Sequence, residues 1–357
     1  MSARGQGMHI RGTRRPAGKP VRGFSLIELM VALLLGLLVL GAAVGIFVSN
    51  RQVYSATEGL GRIQENVRFA FELMARDIRE AGGNPCGNHI PLVNVVNASS
   101  SNWWTDLNSY EDAASGELVS PWRYTLIGFS DGGPASGAGN GQRVPGTQSI
   151  RLLSADDVMH SIQSHNAVAS TFTLKSAADG LQAGNLAVVC DVRQASMFQV
   201  SSVAGAVVGH AAVGSPGNCT GNLGLPPPVG GSCAGVGAYT YPANAVLARL
   251  NASQWYVGNN DRGGRSLYQG RLDAAGTGVT NQEVVDGVEQ IAFEYLLDGA
   301  GDYVPAGHAS LSAAAWGSVL AVRVVVTIES ETAAGSTDGA PLARTVSHVV
   351  NLRSRTS

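Results

Sequence analysis

A few short patterns in this chain carry residue types that could do chemistry. Gly128-Phe-Ser-Asp-Gly132 has the Gly-x-Ser-x-Gly spacing of a nucleophile elbow. That mechanism needs a helix directly after the serine, with backbone N–H groups near its start to hold an oxyanion. Gly132-Gly-Pro-Ala-Ser-Gly-Ala-Gly139 follows instead, a poor helix former, so the pattern reads as a turn. Gly137-x-Gly139-x-Gly141 lacks the strand-to-helix setting of a phosphate loop. His160 and His165 stand five apart, do not share a helical face, and read as loop histidines. Asp298-Gly-Ala-Gly-Asp302 places two carboxylates on a glycine-rich turn, a donor set that suits Ca²⁺. Ala309 stands where an EF-hand needs its bidentate glutamate, so a hairpin turn is the stronger reading. No catalytic residue and no obligatory cofactor are expected.

The four cysteines, Cys86, Cys190, Cys219 and Cys233, allow three pairings if oxidised. Their spacing is too wide to suit zinc. Cys219 and Cys233 close a loop of about 15 residues rich in Gly and Pro, a link that stabilises by about 3 kcal/mol in the chain-entropy view. Favouring that pair leaves Cys86 to join Cys190.

Glu28 is the carboxylate whose position most needs a reason. It is the fifth residue counting from Phe24, in an apolar run that lasts to Val48. Ahead of it is a leader with Arg4, Arg11, Arg14, Arg15, Lys19 and Arg22 and no acid. Leu29 to Val48 gives about 20 uncharged residues, enough to cross a hydrocarbon core of about 30 Å. A charge inside such a run is costly and marks function. A cleaved secretory signal would have a shorter apolar core, and the run here continues past the small residues Gly41, Ala42 and Ala43. A plain signal anchor accounts for the length and the basic flank, not for Glu28 or the Gly23-Phe24 junction.

The elements that follow are a helix and many strands. Leu60, Ile63, Val67, Ala70, Phe71, Met74 and Ile78 recur at steps of three and four, after Val53. Arg62, Glu65, Arg68, Glu72, Arg76, Asp77, Arg79 and Glu80 are expected on the opposite side, with Glu72 and Arg76 as an i,i+4 pair. No proline occurs between Phe24 and Pro85, so membrane and amphipathic parts can form one rod of roughly 85 Å. Gly82-Gly83-Asn84-Pro85 stops it; Gly36, Gly41, Gly45, Gly59 and Gly61 are soft points, and Gly41-x-x-x-Gly45 permits close helix packing. Strands are expected at Tyr124–Phe129, Ser149–Leu153, Ser170–Leu174, Leu186–Cys190, Met197–Val203, Ala245–Leu250, Gln254–Val257, Gln290–Leu296, Val319–Ile328 and Thr345–Leu352. Gly128–Gly146 and Gly214–Gly237 read as long loops.

The N-terminal segment resembles a type IV prepilin leader with a class III signal. That resemblance implies cleavage between Gly23 and Phe24, N-methylation of Phe24, and an assembly role for Glu28, which would pair with a neighbour's terminal amine. The segment Arg62 to Gly82 with Cys86 close behind, Val285 to Tyr295, Asp298 to Tyr303, Trp316, Ala321 to Val326 and Thr345 to Arg353 resemble PilW-type minor pilins. The middle, about residues 90–240, carries little of this pattern. The resemblance implies an α+β pilin-like fold: a long N-terminal helix, half membrane and half amphipathic, packed on an antiparallel β-sheet head with long loops. The expected parts are a cleaved leader 1–23, a membrane helix 24–48, an amphipathic helix 49–83 and a β-rich head 84–357.

It further implies initiation or assembly of the type IV pilus, in a priming or tip complex. Implied partners are PilV-, PilX- and FimU-like minor pilins, a PilY-type tip protein, the major pilin, the prepilin peptidase and the inner-membrane platform. The implied place is the bacterial inner membrane with a periplasmic head, and the pilus after assembly. A J-type minor pseudopilin of type II secretion is the nearest alternative. A membrane-anchored exported enzyme or binding protein is a further one.

Composition agrees with an exported chain. The leader holds 6 of 24 Lys+Arg and none of 26 Asp+Glu; 18 − 26 leaves −8 after it, against −2 for the whole. An acidic chain without a basic patch argues against nucleic-acid binding. With 46 glycines and only 14% charged residues, turns and strands are favoured over a helical bundle.

Overall fold

The computed structural model describes residues 23–85, 87, 90–97, 103–105, 110–111, 118–119, 125–226, 233–311, 313–330 and 341–355. The basic leader up to Arg22, Cys86 and Tyr124 lie outside these residues. In chain order the elements are α1 (Leu26–Glu80), β1 (Leu92–Asn94), β2 (Tyr110–Glu111), β3 (Leu118–Val119), β4 (Leu126–Phe129), β5 (Ser149–Asn166), β6 (Thr171–Leu174), β7 (Leu186–Cys190) and β8 (Ala195–Gln199). Then come β9 (Ser202–Ala204), β10 (Val207–Gly209), β11 (Val246–Asn259), β12 (Arg265–Leu272), β13 (Val279–Asp286), β14 (Val288–Leu297) and β15 (Tyr303–Pro305). A 3-10 turn at Ala313–Ser318, β16 (Val319–Glu329) and β17 (Ala343–Asn351) complete the order.

The chain divides into two units, Met1–Ser55 and Ala56–Ser357. In the first, α1 from Leu29 to Val48 carries no charge on any side and is exposed throughout. It is the helix among the described residues long and apolar enough to cross a membrane. A helix hydrophobic all round needs lipid or other helices as its surroundings.

In the second unit α1 is amphipathic. Ile63, Val67, Ala70, Phe71, Met74, Ala75 and Ile78 are buried, the stripe that the periodicity predicts. Val53, in the first unit, and Leu60 are exposed, so the buried face begins at Ile63. The glycines at 59 and 61 do not interrupt the helix. The exposed ion pairs are Arg62–Glu58, Arg68–Glu72 and Arg76–Glu80 at 3.0–3.2 Å, so the expected Glu72–Arg76 pair is replaced by its neighbours.

Two sheets cover the stripe. The order β15-β14-β16-β17 forms a four-stranded antiparallel sheet. The larger sheet runs β1-β8-β7-β11-β5-β6-β10-β9, with β12 and β13 extending from β11 and β4 pairing β5. Val322, Val324 and Val326 of β16 and Ile291, Phe293 and Tyr295 of β14 alternate into one core with the helix stripe, Trp255 and Ile150. A second core lies around Phe172, Phe198, Leu247 and Tyr241, and a third around Trp104, Leu153, Val188 and Met197.

Several expected strands are longer or divided. Ala245–Leu250 and Gln254–Val257 belong to the single strand β11, because the polar interval Asn251-Ala-Ser253 still pairs with Leu152–Ser154 of β5. Ser149–Leu153 is only the start of the 18-residue β5. Met197–Val203 is divided between β8 and β9. The sheet is not wholly antiparallel: β1 pairs β8 in parallel. The loop after β4 is ordered by Arg143, 3% exposed, which pairs with Asp131 at 2.9 Å and donates to the carbonyls of Pro134 and Thr147. That hydrogen bond holds the Asp131 carboxyl below its usual range.

Candidate functional site

Gly23, Phe24 and Ser25 precede the helix in non-helical conformation, and Phe24 is 84% exposed. Ser25 is the N-cap. Its Oγ accepts the Glu28 N–H at 3.2 Å, and its carbonyl accepts the Leu29 N–H at 3.2 Å. Ser25-Leu-Ile-Glu28 is therefore a capping-box sequence, Ser-x-x-Glu ahead of an apolar run. Ser25 is the residue that our reading of this segment missed, and this pattern is the signal that could have found it.

The cap has two consequences. The helix starts after Ser25, so the Gly23-Phe24 peptide lies in an exposed, non-helical segment. Glu28 sits in the first turn, where a carboxylate is favoured by the unpaired N–H groups of the helix start. It is exposed among exposed Leu26, Ile27, Leu29 and Met30. A Cβ on Gly36, Gly41 or Gly45 would meet no atom of the described residues beyond the helix's own turns within 4 Å, which leaves room for another helix to approach closely.

At the other end of α1, Gly82 adopts φ +74°. A Cβ there would lie 2.8 Å from Thr125 Oγ1 and 2.9 Å from Ser354 Oγ, so glycine is required on both counts. The last turns carry Asp77, which sequence spacing placed among the solvent charges. It is instead an anchor, 10% exposed: Trp255 Nε1–H donates to it at 2.9 Å and Gln269 Nε2–H at 2.7 Å, with Arg271 at 3.6 Å. A polar cleft of about 350 Å³ opens beside it. Arg249 pairs there with Asp156 at 2.6 Å and Arg76 with Glu80 at 3.2 Å, while Asp273 accepts from Thr277.

The residues considered for chemistry fall into structural roles. Gly128 lies in β4, paired with Ile150 of β5, and not in a turn; a Cβ there would be 1.8 Å from Tyr295 Oη, so glycine is required. Ser130 follows at an exposed bend with no helix after it. His160 and His165 are not loop residues: both sit in β5 and are buried. His165 Nδ1 accepts the Tyr241 N–H at 3.0 Å, and its Nε2 meets His210 Nε2 at 3.0 Å. Asp298 and Asp302 lie in the turn joining β14 to β15. Among the described residues no group of three or more His, Cys, Asp or Glu could hold a metal ion.

Cys219 and Cys233 form a disulfide with Cα atoms 5.9 Å apart. Both pack on the second core. Cys190 is also disulfide-bonded; Cys86 lies outside the described residues.

Residues 254–352 match the family model described as Type IV Pilus-assembly protein W, and residues 18–44 match the Prokaryotic N-terminal methylation motif. The first match spans the end of β11 through β17, hence the whole four-stranded sheet. The second spans the cap, Glu28 and most of the apolar run. The resembling segment Arg62–Gly82 lies outside both. No curated protein and no solved structure matches the chain.

Proposed function

We propose that the chain, a PilW-type minor pilin by the family matches at its two ends, takes part in initiating type IV pilus assembly within a priming or tip complex. The observation that carries this reading is the capped helix start: an exposed Gly23-Phe24 junction, Ser25 fixing the first turn, and Glu28 alone in an exposed apolar surface. Peptide cleavage after Gly23 exposes the Phe24 amine for methylation. The apolar helix stays with the mature chain as its inner-membrane anchor, and the head lies in the periplasm. Glu28 then meets the terminal amine of a neighbouring subunit, which neutralises two charges that are expensive in an apolar medium.

Activity on this reading is protein–protein contact rather than turnover, with other minor pilins, a PilY-type tip protein and the major pilin as partners. The match over 254–352 is to a pilus-assembly family, which puts the pilus ahead of a type II secretion pseudopilus.

The test is the N-terminal sequence and mass of the protein taken from native membranes. A chain starting with N-methylated Phe24 is expected, with Gly23→Ala blocking the cut and Glu28→Ala abolishing piliation after a normal cut. An intact Met1, or a cut near Ala43, overturns the reading.

A further inference from the structure

Strand β17 is the outer strand of the four-stranded sheet, and no described strand pairs with its other side. It pairs with β16 over nine consecutive residues without a register shift. The bonds flanking this ladder, Ser330 N–H to Leu342 O and Leu352 N–H to Leu320 O at 2.9 Å each, fix its parity. In an antiparallel ladder alternate residues face the partner strand. Even-numbered residues of β17 therefore bond to β16. The N–H and C=O groups of Thr345, Ser347 and Val349 point outward, and no described residue pairs with them.

Long open edges are normally blunted by shortness, proline, charge or a bulge. The other edges here follow that rule. β1, β9 and β15 have three residues each, β15 ends in Pro305, and the β12–β13 pairing carries a register shift. β17 has nine residues and no proline, lysine or carboxylate.

Beside this edge runs a groove of about 590 Å³ between β17 and α1. Its floor is apolar, with Ile63, Val67, Phe71 and Ala75 of the helix and Val346 and Val350 of the strand. Its rim is basic. Arg79 and Arg344 have no carboxylate partner among the described residues, and Arg68 is matched by Glu72. This positive rim stands out on a chain whose part after the leader has a formal charge of −8.

We infer that β17 receives an extended, acidic β-strand from a different protein of the assembly, added edge to edge with its alternate apolar side chains lying in the groove. Main-chain bonds to Thr345, Ser347 and Val349 give the affinity, the floor selects apolar residues at every second position, and Arg79 and Arg344 select carboxylates beside them. A second copy of this chain does not fit, since β17 has no carboxylate and edge-to-edge pairing would bring two basic rims together. The inference rests on the assembly reading above and adds the surface and the chemistry of the partner.

The experiment uses the full chain in piliated cells, with a photo-crosslinking phenylalanine analogue placed at Ser347 or, as control, at Val168, which is 99% exposed elsewhere. At least ten-fold more adduct is expected at 347, mapped by mass spectrometry to an extended segment rich in Asp and Glu. Thr345→Pro removes an outward N–H together with the hydroxyl that bonds Thr327 Oγ1 at 2.9 Å, and Arg79→Glu with Arg344→Glu reverses the rim. Each is expected to cut the adduct at least ten-fold while the cut at Gly23 and membrane localisation stay normal, and Arg344→Lys should retain it. Amide exchange on the isolated full chain in detergent should find Thr345, Ser347 and Val349 fast and Val346, His348 and Val350 slow.

Equal adducts at 347 and 168, a map to a basic segment, a 347–347 adduct between two copies, or slow exchange at the odd amides would each overturn the proposal. Failure here with Gly23→Ala and Glu28→Ala still abolishing piliation would remove only the strand site. Piliation that survives Gly23→Ala and Glu28→Ala would remove the pilin reading itself.

Discussion

The Nε2 atoms of His165 and His210 lie 3.0 Å apart in a buried cluster with Phe172 and Tyr241. Since His165 Nδ1 accepts the Tyr241 N–H, its proton sits on Nε2 and is donated to His210. The pair is therefore held neutral. Burial lowers His165 to about 4; burial, then the charge of its neighbour, lowers His210 to about 3.

The sign of the pH effect follows from proton uptake. An unfolded histidine titrates near 6.5, so above that pH neither state takes up a proton and the pair adds no slope. Below it the unfolded chain binds protons that the folded one refuses. Stability is lost as pH falls from about 6.5 toward 4, by up to about 1.4 kcal/mol per pH unit for each histidine. Thermal melts between pH 7 and pH 4.5 should display that slope, and His210→Phe should remove about half of it. An unchanged slope in the variant would rule out the pair as its source.

Asp77 ties the helix to the sheet through Trp255 and Gln269. Asp77→Ala leaves an indole N–H and an amide N–H without an acceptor, at a cost of about 3 kcal/mol. Asp77→Asn keeps one acceptor oxygen and should cost about half as much. Chemical denaturation followed by Trp fluorescence checks both, and equal losses would mean that packing rather than the acceptor matters.

Tyr295 is fully buried, its ring edge-on to Trp316 at 4.9 Å, and its hydroxyl has no hydrogen-bond partner among the described residues. Burial pushes that hydroxyl well above its usual pKa. Tyr295→Phe should keep the packing and stabilise by about 1 kcal/mol, read as a rise in Tm. A fall in Tm would show that the hydroxyl is satisfied in solution.

The Cys219–Cys233 link closes a loop whose residues Cys219, Leu223 and Cys233 pack on the second core. Cys219→Ser is expected to cost about 3 kcal/mol, mostly through the freedom regained by the unfolded chain. A loss well below 1 kcal/mol would mean that the loop is fixed by its other contacts, such as Leu223 O accepting from Gln194 and Ser196.

The stripe from Ile63 to Ile78 was legible because helical periodicity repeats a local rule over several turns. The alternation in β14 and β16 was legible for the same reason, and both strands appear within a residue or two of their expected bounds. The far half of β5 was not: Ser154 to Asn166 is mostly polar, and its strand character comes from pairing with β11 and β6. β12 and β13 escaped likewise, since Asn281-Gln-Glu283 has no apolar alternation and is held by cross-strand bonds.

By itself the sequence determined the apolar helix, the Gly23-Phe24-Ser25-Glu28 start and the amphipathic stripe, because each is set by neighbours within a few positions along the chain. The tertiary structure alone decided which polar residues turn inward. Asp77 meets Trp255 across 178 positions, His165 meets His210 across 45, and β17 is left with an edge that no described strand pairs. Such partners are chosen by how strands order themselves in a sheet, and that order is a property of the whole chain's packing rather than of any window of it.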